Sequence, residues 1–390
     1  MARQQIDPVA HVGLGECPSG HVELGDRHPV VYCIGDVHGD LRALLHTLRL
    51  AGLVAYGEDV ARVAEACPSN AHDVRRDGFP LTQEQVQRIQ WTGGRNAAVL
   101  LGDVLDNRRS RTQDIYGVCA HAGTQPLILE IIGELQTQAR LARGKLVLVL
   151  GNHDVANAVP GFGKFCADYA PQLTTYARDR GGPSPTCAGG GFTPEHRAFV
   201  RERLRRLRAV ACVRIHWPGG SILGVHGGLC TLDELAARLP AKYRPRRGSG
   251  HGAGPDEAVA NVCRLNLLYA DALRGVRAAV TVLTDRDLSA KLPTWCRPRA
   301  VTDPDTLRAY FGTARMVVAH TVQSHANCTG LAPYDGEPER SGLMPEAAIC
   351  FTDVGMSRAF ESTRHVAEVV RFRLTDRGVE QSVLVAPATA

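Results

Sequence analysis

Lysine is almost missing from this chain. Among 390 residues, 45 are Lys or Arg, and only Lys145, Lys164, Lys242 and Lys291 are lysines. Arginine carries the rest of the positive charge, which fits a GC-rich coding bias alongside many Ala, Gly and Val. Arg suits phosphate recognition, so this bias neither requires nor excludes a nucleic-acid partner. The net charge of +5 is mild. The twelve cysteines include no Cys-x-x-Cys pair, which removes the spacing of a structural zinc site. Cys33 and Cys350 lie in apolar runs and are expected as buried thiols, not disulfide partners. A reducing, cytoplasmic compartment follows as the expectation. No apolar run approaches membrane-spanning length, so no membrane partner is expected. The first 28 residues are polar, contain Pro8, Gly13, Gly15, Pro18 and Gly25, and lack a signal-peptide core. Internal repeats are absent.

Apolar runs punctuated by glycine dominate what is present. Pro29 to Ile34 reads as a buried strand stopped by Gly35. Leu41 to Leu53 reads as a helix with Leu41, Leu44, Leu45 and Leu48 on one face, and Asp40 as its cap. Further strands are predicted at 97–101, 146–150, 222–225, 316–319 and 348–351, with a second long helix from Leu127 to Ala142. Ala367 to Leu374 and Val379 to Val385 alternate and are joined by Thr375-Asp376-Arg377-Gly378, a β-hairpin signal. Continuous apolar strands alternating with helices indicate sheets covered by helices, an α/β fold. No linker divides the chain. The expected organisation is a flexible extension at 1–28 and one domain at 29–386, with insertions at about 55–95, 181–194 and 244–257.

Six strand ends carry residues of metal-binding type. They are Gly35-Asp36-Val37-His38-Gly39-Asp40, Gly102-Asp103-Val104-Leu105-Asp106-Asn107-Arg108, Gly151-Asn152-His153-Asp154, His226-Gly227-Gly228, Ala319-His320-Thr321 and Asp353-Val354-Gly355-Met356-Ser357. Strands that stop in Gly-bounded turns expose their last side chains at one sheet edge, and several such strands bring distant residues together. Carboxylate, imidazole and amide oxygen suit Mn, Fe or Zn rather than a thiolate site. A carboxylate shared by two ions holds them about 3.5–4 Å apart and lets them clamp a phosphate.

In order and spacing these motifs resemble the calcineurin-like metallophosphoesterases, and within them the phosphoprotein phosphatases. The residues around His320 to Gln323 and Asp353 to Ser357 are most similar to the bacterial-type, Shewanella-like branch. The resemblance covers roughly 29–360 and rests on the motifs. It implies a β-sandwich of mixed sheets flanked by helices, with the active site at the C-terminal ends of the strands. It implies two divalent or trivalent metal ions, with Mn favoured over Fe or Zn. Carried over residue by residue, Asp36 and His38 would bind the first ion, Asp103 would bridge, and Asn152, His226 and His320 would bind the second. His153 would act as general acid, with Asp106 favouring its protonated form. The reaction implied is direct attack by a metal-bound water or hydroxide on a phosphoester.

Two departures from the family pattern stand out. Asp-Arg-Gly is replaced by Asp106-Asn107-Arg108, so Asn107 or Arg108 would contact the phosphate. Arg286, in Thr284-Asp285-Arg286-Asp287-Leu288, is the candidate for a second phosphate-binding Arg. The fourth residue of Gly-Asn-His-Glu is Asp154, a shorter carboxylate expected to keep a supporting role. The final motif has a single His, whereas nucleases of this fold usually end in Gly-His-x-His. His325 lies five residues beyond His320 and does not fill that place. The reading that results is a metal-dependent phosphomonoesterase, a protein phosphatase acting on phosphorylated protein or on a small phosphoester. The alternatives are a hydrolase of dinucleoside polyphosphates or other small phosphoanhydrides, and an inactive phosphoprotein-binding scaffold. The Arg-rich helix from His196 to Val210 is expected to be a solvated face over a core stripe, so nucleic acid is not expected as partner.

Overall fold

Val30–Ile34 (β2) is apolar at every position and needs cover on both faces. It receives that cover at the centre of one of two six-stranded sheets. The computed structural model describes residues 20–65, 81–105, 124–162, 187–188, 191–192, 194–248, 252–297, 303–335, 337–354 and 367–386. Before and after β2 in the chain lie β1 (His21–Glu23), β3 (Val54–Ala55), β4 (Gln90–Trp91), β5 (Ala97–Leu100), β6 (Lys145–Leu148), β7 (Cys187–Ala188) and β8 (Gly191–Phe192). The later strands are β9 (Cys212–Trp217), β10 (Gly220–Val225), β11 (Arg315–Val318), β12 (Asn327–Cys328), β13 (Glu339–Leu343), β14 (Ala348–Phe351), β15 (Glu368–Thr375) and β16 (Gly378–Val385). One sheet runs β13-β16-β15-β2-β5-β6 and the other β1-β9-β10-β11-β14-β12.

Strands β2, β5 and β6 are parallel, and so are β10, β11 and β14. Antiparallel partners complete both sheets, with the β15–β16 hairpin beside β2 and β9 beside β10. The sheets touch through side chains and backbone. The Val210 amide donates to the Leu148 carbonyl at 2.9 Å, and Cys350 Sγ lies 3.6 Å from Gln381 Oε1. A single apolar core spans both. The α/β architecture of two mixed sheets flanked by helices is therefore as expected. Helix Leu41–Leu50 buries Leu41, Leu44, Leu45 and Leu48, and Asp40 caps it by accepting from the amides of Arg42 and Ala43.

The Cys350 expectation is corrected, and the described residues add local detail to three others. Residues 20–28 are no loose extension: β1 pairs with β9 and buries Val22 and Leu24 by alternation. The 55–95 segment, where described, packs rather than loops out. Its short helices Glu58–Glu65 and Gln83–Gln87 bury Val60, Ala64 and Val86, and Gln138 holds Trp91 and Ile89 through the backbone. Arg246 is held through both its amide and its carbonyl by Asn261, so the described part of 244–257 is anchored to helix Pro255–Leu273. Cys350 is disulfide-bonded to Cys328, because antiparallel β12 and β14 place the two directly opposite with Cα atoms 4.0 Å apart. Cys230–Cys296 is a second disulfide. The apolar surroundings of Cys350 thus bury a cystine. Cys33 is a buried thiol as expected. Among the described residues, no helix is long and apolar enough to cross a membrane.

Candidate active site

The parallel strands of both sheets end at one place. Turns after β2 and β5 supply Asp36, His38 and Asp103, and the first turn of helix Asn152–Ala158, just after β6, supplies Asn152 and His153 from the same sheet. Turns after β10 and β11 supply His226 and His320 from the other. All seven are buried. Backbone hydrogen bonds tie the turns together. The His38 amide donates to the Asp103 carbonyl at 2.7 Å, and the Ala319 amide donates to the His226 carbonyl at 2.7 Å. The His320 amide donates to Asp36 Oδ1 at 3.3 Å, which joins the two sheets across the site.

The turns are strained where the chemistry is. Five non-glycine residues among those described have positive φ, and three of them are His38 (45°), Asp103 (46°) and His320 (61°). Such conformations cost about 1–3 kcal/mol each and persist only where the surroundings impose them. Packing is equally tight. A Cβ on Gly151 would sit 2.0 Å from Asp103 Oδ1 and 2.2 Å from the Asp103 amide. Gly151→Ala is therefore expected to displace Asp103, cost about 1–3 kcal/mol of stability and lose metal affinity together. Thermal unfolding with and without added Mn tests this, and an unchanged metal-induced shift in the variant contradicts it.

Asp103 sits at the centre. Its Oδ1 accepts from the His153 amide at 2.9 Å. Its Oδ2 lies 3.2 Å from His226 Nε2, 3.8 Å from His38 Nε2 and 4.0 Å from His153 Nε2. His226 Nε2 also lies 3.1 Å from Asn152 Oδ1 and 3.1 Å from His320 Nδ1. Burial works to raise the Asp103 pKa, but the imidazoles of His226, His153 and His38 outweigh it and hold the carboxyl well below the usual range. Burial lowers the His226 pKa, yet Asp103 and Asp36 win and push it up to about 9. The cluster is thus built to surround positive charge. Two sets of ligand atoms, His38–Asp103–His153 and Asp103–His226–His320, each lie mutually within 4.8 Å. They share Asp103, so the donor chemistry fits two cations.

Asp154 supports this arrangement from below. One of its oxygens accepts from the amides of Val104 and Leu105, each at 3.1 Å, and the other from Gly151 at 2.9 Å. Burial and the nearby Asp103 push its carboxyl up to about 8. The three amides favour the ionised form, and cations beside Asp103 would favour it further. Imidazole orientation is fixed from behind as well. His226 Nδ1 is 2.7 Å from the Leu101 carbonyl, and His38 Nδ1 is 3.3 Å from that of Leu105.

Not every expected residue joins the cluster. Asp106, Asn107 and Arg108 lie outside the described residues. Arg286 is exposed at the start of the short helix Arg286–Ser289 and, among the described residues, bonds to none of the cluster. The sequence reading missed an aromatic flank. Trp295 lies edge-on to His320 with ring centroids 6.4 Å apart, and it stacks on Phe162 at 6.0 Å. The paired glycines after His226 are the signal that pointed there. The Gly227 amide donates to Pro293 at 2.6 Å, and a Cβ on Gly227 would sit 2.5 Å from the Cys296 carbonyl. Only glycine admits the loop that carries Trp295.

No protein-family model matches the chain. The chain is 29% identical over 140 residues to an uncharacterised protein of Schizosaccharomyces pombe, covering 36% of this chain and 29% of the relative. It is 26% identical over 153 residues to Shewanella-like protein phosphatase 2 of Arabidopsis thaliana, covering 38% of this chain and 28% of the relative. The chain thus spans under a third of the length of these curated relatives. Its structure superposes on a cold-active protein tyrosine phosphatase with a TM-score of 0.51 at 16% identity, covering 92% of this chain and 78% of the other. A second structure, of a cold-active protein-tyrosine phosphatase from a psychrophilic Shewanella, gives a TM-score of 0.50 at 16% identity, covering 93% and 79%. With the five ligand turns meeting in motif order, that likeness decides the architecture. The fold is of the metallophosphoesterase type. His325 is engaged away from the cluster. Its Nδ1 pairs with Glu368 at 2.6 Å, and its ring stacks on Tyr334. The terminal motif therefore contributes His320 alone. Asp353 is buried directly behind Gly35, where a Cβ would meet the Asp353 Cα at 2.9 Å, so the sixth motif backs the first.

Proposed function

We propose that the chain is a metal-dependent phosphomonoesterase acting on phosphorylated protein, with residues 20–386 forming one domain. The carrying observation is Asp103, whose carboxylate belongs to both ligand sets. Asp36 and His38 would hold one cation, Asn152, His226 and His320 the other, and Asp103 both. Bound cations would supply Lewis-acid polarisation of the phosphoryl oxygens and a lower pKa for the attacking water. The chain's own residues fix everything else. Buried, backbone-anchored turns hold the donors in place before substrate arrives, so little reorganisation is needed in the transition state. His153 is anchored by its amide to Asp103, with its ring edge-on to His38 at 5.1 Å. As water oxygen bonds to phosphorus and the ester P–O bond breaks, His153 donates the proton that the leaving oxygen takes. Inorganic phosphate and the free hydroxyl are the products.

Asn107, Arg108 and Arg286 remain the proposed phosphate contacts. The Phe162–Trp295 stack beside His320 supports a substrate with an apolar or aromatic group next to the phosphate. Mn-dependent hydrolysis of p-nitrophenyl phosphate, followed by a panel of phosphoserine, phosphothreonine and phosphotyrosine peptides, tests the reading. Activity is expected to vanish on chelation and return with Mn. Full activity in the chelated protein, or none with any added metal, overturns it.

A further inference from the structure

A second polar concavity lies at the opposite ends of the same strands. It has a volume of about 1320 Å³ and is walled by the starts of β1 and β6, helix Thr124–Leu141 and helix Pro194–Arg206. Arg95 precedes β5 and Lys145 begins β6, whereas Asp103 and Asn152 follow the other ends of those strands. Strand β9 ends here at His216, antiparallel to β10, whose far end leads to His226. The cleft and the metal centre are therefore separated by the length of the strands.

Its lining has eight Arg or Lys side chains and three His against two Glu. Among the described residues, Arg95, Arg140, Arg143 and Arg208 have no carboxylate at ion-pair distance. His21 is the second observation. Both its ring nitrogens are buried without a hydrogen-bond partner among the described residues, although one of them is a donor when the ring is neutral. Burial, with Arg214, His216 and Lys145 nearby, lowers the His21 pKa to about 4, and burial and Arg27 bring Lys145 down to about 8. Arg27 pairs with Glu23 and Arg206 with Glu202, and the cleft still carries an excess of positive charge.

The backbone reinforces the point. Among the described residues, the two positive-φ non-glycine residues outside the metal centre are Arg143 (60°) and Arg208 (50°), and both line this cleft. Each stands just after a helix, where glycine is the easier residue. The Gly144 amide returns to the Ala139 carbonyl at 2.7 Å, and the Ala209 amide returns to that of Leu204 at 3.1 Å. Two arginines in glycine positions, aimed into one cleft, indicate a side-chain role there.

We propose that this cleft binds a linear oligophosphate, a chain of two or more phosphates, at a site separate from the metal centre. The cations come from several elements, which suits charge spread along a chain better than a single phosphate. The volume exceeds the roughly 300–1,000 Å³ of ordinary small-molecule pockets. Among the described residues, the lining contains no Phe, Tyr or Trp, so it offers no platform there for stacking bases, and single-stranded nucleic acid is disfavoured. The Arg-rich helix read from the sequence as a solvated face supplies one wall.

Calorimetric titration of the Mn-loaded full chain with inorganic tripolyphosphate, ATP and orthophosphate tests the proposal beside the double variant R140E/R143G. Tripolyphosphate is expected to bind the native chain, and about tenfold or more weakly to the variant. The variant should keep its kcat/KM on p-nitrophenyl phosphate and an unchanged or higher Tm, since glycine suits position 143. Equal binding of ATP assigns recognition to the phosphate chain itself, and tighter tripolyphosphate assigns it to the inorganic chain. Unchanged tripolyphosphate affinity in the variant places binding at the metal centre and overturns the proposal. So does orthophosphate binding as tightly in the cleft, or a mixed-sequence RNA oligonucleotide binding more tightly than tripolyphosphate.

Discussion

Asp103→Asn is expected to lower kcat/KM on p-nitrophenyl phosphate by about a hundred- to ten-thousand-fold and to reduce bound metal while the fold survives. The substitution preserves volume, and the amide oxygen can still accept from the His153 amide as Oδ1 does at 2.9 Å. What disappears is the negative charge opposite three imidazoles, the nearest at 3.2 Å. An amide oxygen serves one cation poorly and cannot serve two as a bridging carboxylate does. Without metal, His226 would lose the main source of its raised pKa and release its proton below about 9. Metal content by mass spectrometry, circular dichroism and steady-state rates separate the outcomes. Normal metal content and an unchanged rate in a folded variant would remove Asp103 from the bridging position.

The legible part of this molecule is the part where one periodicity and one chemical demand coincide. β2, β5, β6, β10, β11, β14 and the β15–β16 hairpin were readable because each is a continuous or alternating apolar run closed by glycine or a turn. The gathering of the candidate residues at one place was readable for the same reason. A strand-end turn carrying Asp or His has few structural reasons to recur in that order. β9 was not seen, since Cys212–Trp217 mixes Arg214 and His216 with apolar residues. It is set by pairing with β10 and β1, which no local signal encodes. The Cys328–Cys350 pairing depends on register between β12 and β14, and Cys spacing alone cannot supply register. Trp295 reaches the site because Gly227 gives way to a loop roughly seventy residues later in the chain, a tertiary fact that a motif list cannot contain.

The two ends of the strands divide the labour between buried and exposed charge. At the end that carries the candidate metal ligands, carboxylates and imidazoles are buried, bonded from behind and strained into place, a combination that stores cost in return for order. At the other end, Arg140, Arg143 and Arg208 stand at helix ends with no carboxylate at ion-pair distance among the described residues. The chain's preference for Arg over Lys has different weight in the two places. It is irrelevant to the proposed ligand set, which has neither, and matters in the cleft, where planar guanidinium groups would present paired donors to the phosphate oxygens of the proposed ligand.

His153→Gln tests the proposed general-acid role of His153 apart from the proposed ligands around it. The expected loss in kcat/KM is about 10²–10⁴-fold on alkyl phosphates, whose leaving oxygen needs a proton, and clearly smaller on p-nitrophenyl phosphate, whose leaving group departs as a stable anion. Gln keeps the backbone amide that donates to Asp103 Oδ1 and occupies similar space, so the turn after β6 should hold. The same experiment discriminates between the two roles the geometry allows, because His153 also belongs to one ligand set, with Nε2 4.0 Å from Asp103 Oδ2. A residue acting mainly as ligand would lower both substrates by the same factor and release metal on dialysis. A residue acting as acid would leave metal content intact and make the rate depend steeply on the leaving group. Equal losses on both substrates with metal released would move His153 from the acid to the ligand shell. The proton would then have to come from another group at the rim of the site.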